Sequence, residues 1–472
     1  MVKLSKYEKL LGVMFLLTLP LLQPWVHGDG RGYYAFARAL MFQHNLDFSL
    51  DWYKGHETDP RFSEPGFRKN YETSTGHITN HWTIGPAILW SPFLISAHVV
   101  AEIADKTTGS QFASDGYSIP YMAGMALGTF FYGFLALLFS QRFASRYVEE
   151  KWAFLATVAI WLATSFTFYL YVEPSFSHTL SAFLVALFIY EWDRTRENRT
   201  WLQWLALGAI AGLMLDTYYP NALVLLLPAS DSLFAARKAL RERAPNLLVR
   251  LAGHNLIFGV TALLVFVPTL ITKKILYGSY LSSGYKEAWY WYSPAFLKVC
   301  FSSHGVFSWT PILLFALLGL WFSRKADRAL SFVLLATVLT FIYFIGCYES
   351  WEGIPSFGSR FFISLSAIFV LGLGAFMSEL SLIWKTRRIA MPAAATILLF
   401  TLWNFGLMFQ FVTHMFPQAG EVSWRAVAYN QVAVVPSEGA RLLKDVLTRW
   451  AKFKPTVEPS QQRNSLVVAP HS

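Results

Sequence analysis

The chain of 472 residues is poor in charge: Asp, Glu, Lys and Arg make up 14% of it, where soluble domains carry about 25%. That scarcity excludes an ordinary soluble enzyme, whose surface needs charge for solvation. Cysteine is nearly absent, with Cys300 and Cys347 alone, so a disulfide-built scaffold and a Cys-based zinc module fall away. No P-loop, GxGxxG, GxSxG or HExxH pattern occurs, which removes ATP-driven transport and the common soluble hydrolase chemistries. There is no ladder of acids and bases inside apolar runs of the kind that proton-coupled pumps require. Gly (29) and Pro (21) are too few and too scattered for a collagen-like or low-complexity chain.

Apolar residues are abundant, at 54%, with 17% aromatic. They gather into windows of about 20 residues, the length that crosses a bilayer as a helix. The windows lie near 8–26, 84–104, 117–140, 152–171, 174–192, 200–216, 219–236, 250–272, 306–323, 328–347, 358–378 and 388–413. The expected fold is therefore all-α, a polytopic transmembrane helix bundle of about 11–13 spans. The first window follows Lys3, Lys6 and Lys9 without a small-residue cleavage site and reads as a retained span.

The net charge of +10 is a matter of placement. Basic residues cluster in alternate short loops: Arg142, Arg146 and Lys151; Arg194, Arg196 and Arg199; Arg237 to Arg250; Arg324, Lys325 and Arg328; Lys385, Arg387 and Arg388. With the N-terminus these hold 20 of the 39 basic residues, a positive-inside pattern that assigns them to the cytoplasmic side. Nucleic-acid binding is then unnecessary. The loops 27–83, 172–173, 216–220, 273–305 and 347–358, with the tail from about 414, fall on the other side. One parity problem arises, because three windows separate the N-terminus from the 141–151 loop where an even number must cross. Either 84–104, which carries Pro86, Pro92 and His98, is re-entrant or partly spanning, or a further crossing is hidden.

The chain divides into a bundle over 1–415 and an outer tail over 416–472. The first outer loop, 27–83, interleaves Tyr33, Tyr34, Trp52, Tyr53 and Tyr71 with acidic residues and is too long for a connector. Its stretch Gly32 to Gln43 has the amphipathic pattern of an interfacial helix, as does Glu438 to Lys452 in the tail.

Ionisable residues at the membrane edge need a partner or a function. Asp29 sits in His27-Gly28-Asp29-Gly30-Arg31-Gly32-Tyr33-Tyr34, where glycines permit a tight turn and close approach of a ligand; it suits a general base or a metal ligand, or is a solvated turn residue. Glu173, in the short connection Tyr171-Val172-Glu173-Pro174, is held at the same surface with His178 nearby, or else begins the next helix at its dipole's positive end. Arg360, in Trp351 through Arg360, suits a phosphate at headgroup level or pairs with Glu349 or Glu352. Lys273 and Lys274 could hold an anionic headgroup or mark the interface. A disulfide between Cys300 and Cys347 is open on this topology.

Four segments resemble integral-membrane glycosyltransferases of the C-type (GT-C) fold, in particular the bacterial relatives of protein mannosyltransferases and lipid A aminoarabinose transferase. They are Gly28 to Tyr34 at the head of the first outer loop, Asn80-His81-Trp82-Thr83-Ile84-Gly85-Pro86, the loop with Glu173, and Phe301 to Pro311 with Trp351 to Arg360. The resemblance spans about residues 1–415. It departs from the oligosaccharyltransferase pattern in having one carboxylate where a DxD would stand, and no sizeable soluble domain after the last span. What it implies is sugar transfer from a polyprenyl-phosphate donor to an acceptor hydroxyl of a glycan, lipid or protein, on the non-cytoplasmic face of the cell membrane. Asp29 would be the base, Glu173 a helper that orients acceptor or metal, and Arg360 a ligand of the donor phosphate. Arg31, Tyr34, His81 and His178 would be further substrate contacts, with no assigned metal ligands and a divalent cation left open. Two other classes remain at this point: a transporter or lipid flippase, and a membrane scaffold without chemistry.

Overall fold

The computed structural model describes residues 4–52, 71–109, 114–353, 355–384, 390–418, 420–441 and 444. Among these the chain is all-α, with two isolated β-bridges and no strand. Six helices are long and apolar enough to cross a membrane, or seven if one bent pair counts as a span.

The N-terminal helix α1 (Lys6–Leu17) opens with a capping box, in which Ser5 accepts from Glu8 N and the Glu8 side chain accepts from Ser5 N. An extended stretch then leads to α2 (Gly30–Arg38), the helix whose pattern marked the first outer loop. It is buried along nearly its whole length, because its polar end is neutralised inside the protein: the Arg38 guanidinium pairs with Asp51, to which Tyr117 also donates.

Next come α3 (Gly85–Thr108) and α4 (Ile119–Ala144), which pack against each other. Trp90 Nε1 donates to Thr129 Oγ1 at 2.9 Å, Tyr132 donates to the Leu89 carbonyl, and the His98 ring meets Tyr121 at 2.7 Å. The two helices therefore run antiparallel along the first half of α4 alone. Arg142 at the far end of α4 pairs with Glu8, and Ser5 meets Glu150, so α1 starts where α4 finishes. α3, packed along the first half of α4, has itself the length and apolarity of a crossing, so the parity question stands as the sequence posed it.

The following helices are short. α5 (Glu150–Leu162) and α6 (Phe166–Tyr171) split the window expected at 152–171. The break holds Ala163, Thr164 and Ser165, and Asn404 satisfies it by donating to the carbonyls of Leu162 and Thr164, both at 2.9 Å. Broken backbone at this depth needs such protein partners. α7 (His178–Arg194) and α8 (Trp201–Thr217) have 17 residues each, and α9 (Leu226–Arg241) has 16. By contrast α10 (Pro245–Tyr277) runs for 33 residues. α7 and α8 thus end where longer neighbours continue, and the difference leaves a recess at their tips.

In the C-terminal half, α11 (Phe296–Phe301) and α12 (Val306–Trp309) lead through Pro311 into α13 (Ile312–Ser323), with a bend of 98°. α14 (Arg328–Cys347), α15 (Ser366–Ile383) and α16 (Ala390–Val412) complete the bundle. α13 and α15 touch backbone to backbone, since a Cβ on Gly319 would lie 1.7 Å from the Gly372 carbonyl oxygen; small residues are what permit such close crossings in a membrane. Of the tail, α17 (Trp424–Tyr429) packs on α16, where Gln410 donates to the Val427 carbonyl and to Gln431. The expected helix Glu438 to Lys452 lies mostly outside the described residues.

The two ends of the bundle differ in chemistry. At one end the basic loops are knitted by ion pairs: Arg146 with Asp193, Arg196 with Asp231 and Asp327, and Lys325 with Glu379. At the other end the loops predicted to share a face converge on one cavity.

Candidate functional site

The cavity has a volume of about 360 Å³ and is lined by residues from six separate segments: Asp29 and Tyr33, His81 to Thr83, His178, Tyr218 to Pro220, and the stretches 283–289 and 344–361. Five tyrosines, two tryptophans and two phenylalanines contribute, so its walls are apolar rings with polar tips.

At its centre stands an ion pair. Arg360 opens the 3-10 turn that precedes α15, and its Nη2 donates to Asp29 Oδ2 at 2.9 Å. This corrects the sequence expectation that the partner of Arg360 would be Glu349 or Glu352. Glu349 accepts instead from Ala288 N and Tyr290, because the 283–290 loop folds across the 348–353 turn. The guanidinium is also flanked by the rings of Phe176 and Phe361, at 5.3 and 5.5 Å, a favourable electrostatic setting for a cation. Its Nε is buried and makes no hydrogen bond among the described residues. Asp29 is the N-cap residue of α2 but makes no side-chain cap; its carboxylate is committed to Arg360.

The glycines around Asp29 serve protein contacts, and this too corrects the reading that they admit a ligand. A Cβ on Gly30 would lie 2.0 Å from Ser175 Oγ, and one on Gly32 would lie 1.9 Å from the Trp82 ring. They bring the head of α2 against the Glu173 connection on one side and the His81–Trp82 segment on the other. Ser177 donates to Tyr33 at 2.9 Å across the first contact, and Asn80 donates to the Gly32 carbonyl at 2.9 Å across the second.

Glu173 does not begin a helix, since α7 starts at His178 and residues 172–177 form a turn. Nor does it line the cavity. It is half-buried behind the ion pair, and burial pushes its carboxyl up to about 7; the Arg360 charge opposes the rise and the Asp29 charge adds to it. Glu173 makes no ion pair or side-chain hydrogen bond among the described residues.

Of the other candidates, His81 and His178 line the cavity. His81 stacks on Trp82 at 3.9 Å between centroids and approaches Tyr285 at 4.5 Å; burial lowers its pKa to about 4, so it is a neutral ring near pH 7. His178 is packed among Tyr169, Phe176, Tyr218 and Phe361, with its Nδ1 unpartnered among the described residues. Tyr34 and Arg31 are not in the cavity wall. Tyr34 points the other way along α2 and donates to the Gly116 carbonyl at 2.6 Å, because residues 33 and 34 of a helix face about 100° apart.

Lys273 is likewise reassigned. It is buried, and its Nζ donates to the carbonyls of His81 at 2.7 Å and Trp82 at 3.0 Å. It fixes the His81–Trp82 segment and is turned away from any headgroup. Cys300 and Cys347 are both free and buried.

Sequence reading missed Tyr33, Trp82, Tyr218, Tyr285, Glu287 and Tyr348 as site residues. The available signal was the aromatic content of the non-basic loops, above all Tyr218-Tyr219-Pro220 directly after an apolar run. Among the described residues no cluster of three His, Cys, Asp or Glu side chains could hold a metal ion. With the carboxylate of Asp29 already facing a guanidinium, the donors present do not fit a divalent cation, and no step below passes through one.

Fold and site together define a polytopic helical membrane protein with a carboxylate-guanidinium pair in an aromatic cavity, at the end of the bundle remote from its basic loops. No family model and no curated protein sequence matches the chain. Among solved structures it is similar to the crystal structure of ArnT from Cupriavidus metallidurans bound to undecaprenyl phosphate, with 13% sequence identity and a TM-score of 0.44 over 91% of this chain and 74% of that one.

Proposed function

We propose that the chain is a glycosyltransferase that moves a sugar from a polyprenyl-phosphate donor to an acceptor hydroxyl, at the non-cytoplasmic face of the membrane. The observation that carries this reading is the Asp29–Arg360 pair inside an aromatic cavity. A cavity of that volume is at the small end of the range for small-molecule sites, enough for one sugar and its phosphate. The basic loops at the opposite end support the reading that the cavity faces the outer side.

The chemistry follows from the charges. An incoming phosphate is an alternative partner for Arg360, whose Nε is still an open donor. As the guanidinium turns to the phosphate, Asp29 is released as a base. The acceptor hydroxyl then gives its proton to Asp29 while its oxygen bonds to the anomeric carbon of the sugar. The bond from that carbon to the phosphate oxygen breaks, the electron pair leaves with the phosphate, and Arg360 meets the charge that develops. Glu173 lies behind the pair and outside the cavity wall, where its carboxyl, raised to about 7, is partly protonated near pH 7 and sets the charge beside Asp29 and Arg360. The rings of Trp82 and Tyr285 flank the sugar.

Purified protein incubated with a panel of polyprenyl-phosphate sugars and candidate acceptors should consume donor, and Asp29→Asn should abolish consumption while the folded protein still binds donor. Full turnover by Asp29→Asn would overturn the assignment of the base. Donor crossing a vesicle membrane intact, with no consumption, would favour a flippase.

A further inference from the structure

A second cavity lies at the basic end, on the outside of the bundle between α9 and α14. It has a volume of about 590 Å³ and is lined by Leu226, Ser230 and Phe234 from α9 and by Arg328, Phe332 and Ala336 among the α14 residues. The two helices pass in opposite directions, so Phe234 lies near Arg328 and Leu226 near Ala336. From Arg328 to Ala336 the groove follows about 12 Å of helix, at about 1.5 Å per residue. Its walls are apolar: Phe234 and Phe332 are 50% and 43% exposed, and the Ser230 hydroxyl is spent on the Leu227 carbonyl.

At the mouth the charge is positive and uncompensated. Arg328 is exposed and makes no ion pair among the described residues; its guanidinium lies 5.7 Å from the Phe332 ring. The acids nearby are already engaged. Asp231 and Asp327 both pair with Arg196, and Asp327 also caps α14 through Leu330 N. Lys325 is held by Glu379. Arg237, one turn beyond Phe234 on α9, adds a further cation, so Arg328 is free to take an external anion.

We propose that this groove is a binding site for an anionic diacyl phospholipid of the leaflet on the basic side. One acyl chain lies between α9 and α14 and the phosphate pairs with Arg328. An exposed apolar groove in a membrane is filled by lipid chains whatever their headgroup; what selects an anionic lipid is the uncompensated positive charge at headgroup level, since a zwitterionic headgroup brings its own cation beside the phosphate. The polyprenyl donor of the proposed reaction enters from the opposite end, so this site is separate from the catalytic cavity and does not depend on that reading.

The test uses the full chain in an uncharged detergent. Native mass spectrometry counts retained lipid during titration with phosphatidylglycerol and, separately, phosphatidylcholine. Wild type should retain phosphatidylglycerol about fivefold more tightly, the effect of one basic residue beside a headgroup with net negative charge. Arg328→Gln should erase that preference, and Ala336→Phe, which fills the groove, should lower retention of both lipids. Arg194→Gln, at the same end but already paired with Glu191, should leave the preference unchanged. Thermal midpoints without added lipid verify that each variant is folded. Equal retention of the two lipids by wild type, or a preference that survives Arg328→Gln, would overturn the proposal. So would displacement of phosphatidylglycerol by polyprenyl phosphate at equal concentration, which would assign the groove to the carrier.

Discussion

Glu173→Gln isolates a carboxyl whose charge the fold resists. Burial raises its pKa from an ordinary 4.5 to about 7. At about 1.4 kcal/mol per pH unit, that displacement corresponds to about 3 kcal/mol, and partial exposure of the side chain brings it to about 2 kcal/mol. The sign is fixed by which state holds the proton more tightly. Below pH 4.5 Glu173 is protonated in the folded and the unfolded chain, and its titration costs nothing. Between 4.5 and about 7 the unfolded chain releases the proton while the folded one keeps it, so stability falls as pH rises. Above about 7 the full cost is present and constant.

Glutamine keeps the shape without the titration. The thermal midpoint of wild type minus that of Glu173→Gln, measured in detergent from pH 4.5 to 8.5, should therefore decline through this window and level off, with the variant more stable at pH 8. Other titrating groups cancel in the difference. Parallel midpoint curves, or a variant that is less stable at pH 8, would refute the reasoning: Glu173 would then be solvated or satisfied by a partner in its charged form. If the proposed function holds with a neutral Glu173 as the working form, the wild-type transfer rate should fall above pH 7 and that of Glu173→Gln should not.

Three other perturbations test separate parts of the structure. The His81 pKa is lowered to about 4, so its contribution to stability is present above about 6.5 and lost as pH falls toward 4; His81→Gln should flatten that acid limb, and an unchanged limb would refute burial as the cause. Lys273→Met should cost about 1–3 kcal/mol, the price of two buried carbonyls left without a donor, seen as a lower thermal midpoint and a weaker donor KM; an unchanged midpoint would mean that water replaces the ammonium. Gly319→Ala should destabilise the chain by about 1–3 kcal/mol, since α13 must back away from the Gly372 carbonyl, whereas Gly253→Ala, in open space, should not.

That the basic loops share one end of the bundle was legible because the positive-inside signal is local and additive. Each basic loop votes alone, and the described ones do meet at one end through Arg142, Arg146, Arg196 and Lys325. For 84–104 the sequence offered only a contradiction in parity. Its 24-residue helix has the length and apolarity of a crossing, and nothing in those properties separates a helix that traverses from one that turns back along its neighbour. What the structure adds is its pairing with α4, such as Trp90 with Thr129, between residues whose polarity in an apolar run hints at a partner without naming it. The same limit applied to the break at Thr164 and Ser165, filled by Asn404 from far along the chain.

The candidate site shows where such reasoning stops. Asp29 and Arg360 each stood out, as ions at a membrane edge must, and each was given a separate task. Their separation in sequence is more than 300 residues, so no spacing rule could join them, and the nearer acids Glu349 and Glu352 were the natural partners for Arg360. Structure joins Arg360 to Asp29 because Gly30 and Gly32 let α2 sink between Ser175 and Trp82, where any side chain would collide. That pairing changes the chemistry expected of Asp29. The carboxylate is engaged by the guanidinium, so the pair is quiet until an anion competes for Arg360. Arg360 is thus the more informative position: Arg360→Lys preserves the charge but removes the forked geometry, and so separates a site that needs only a cation beside Asp29 from one in which the guanidinium must serve carboxylate and phosphate in turn.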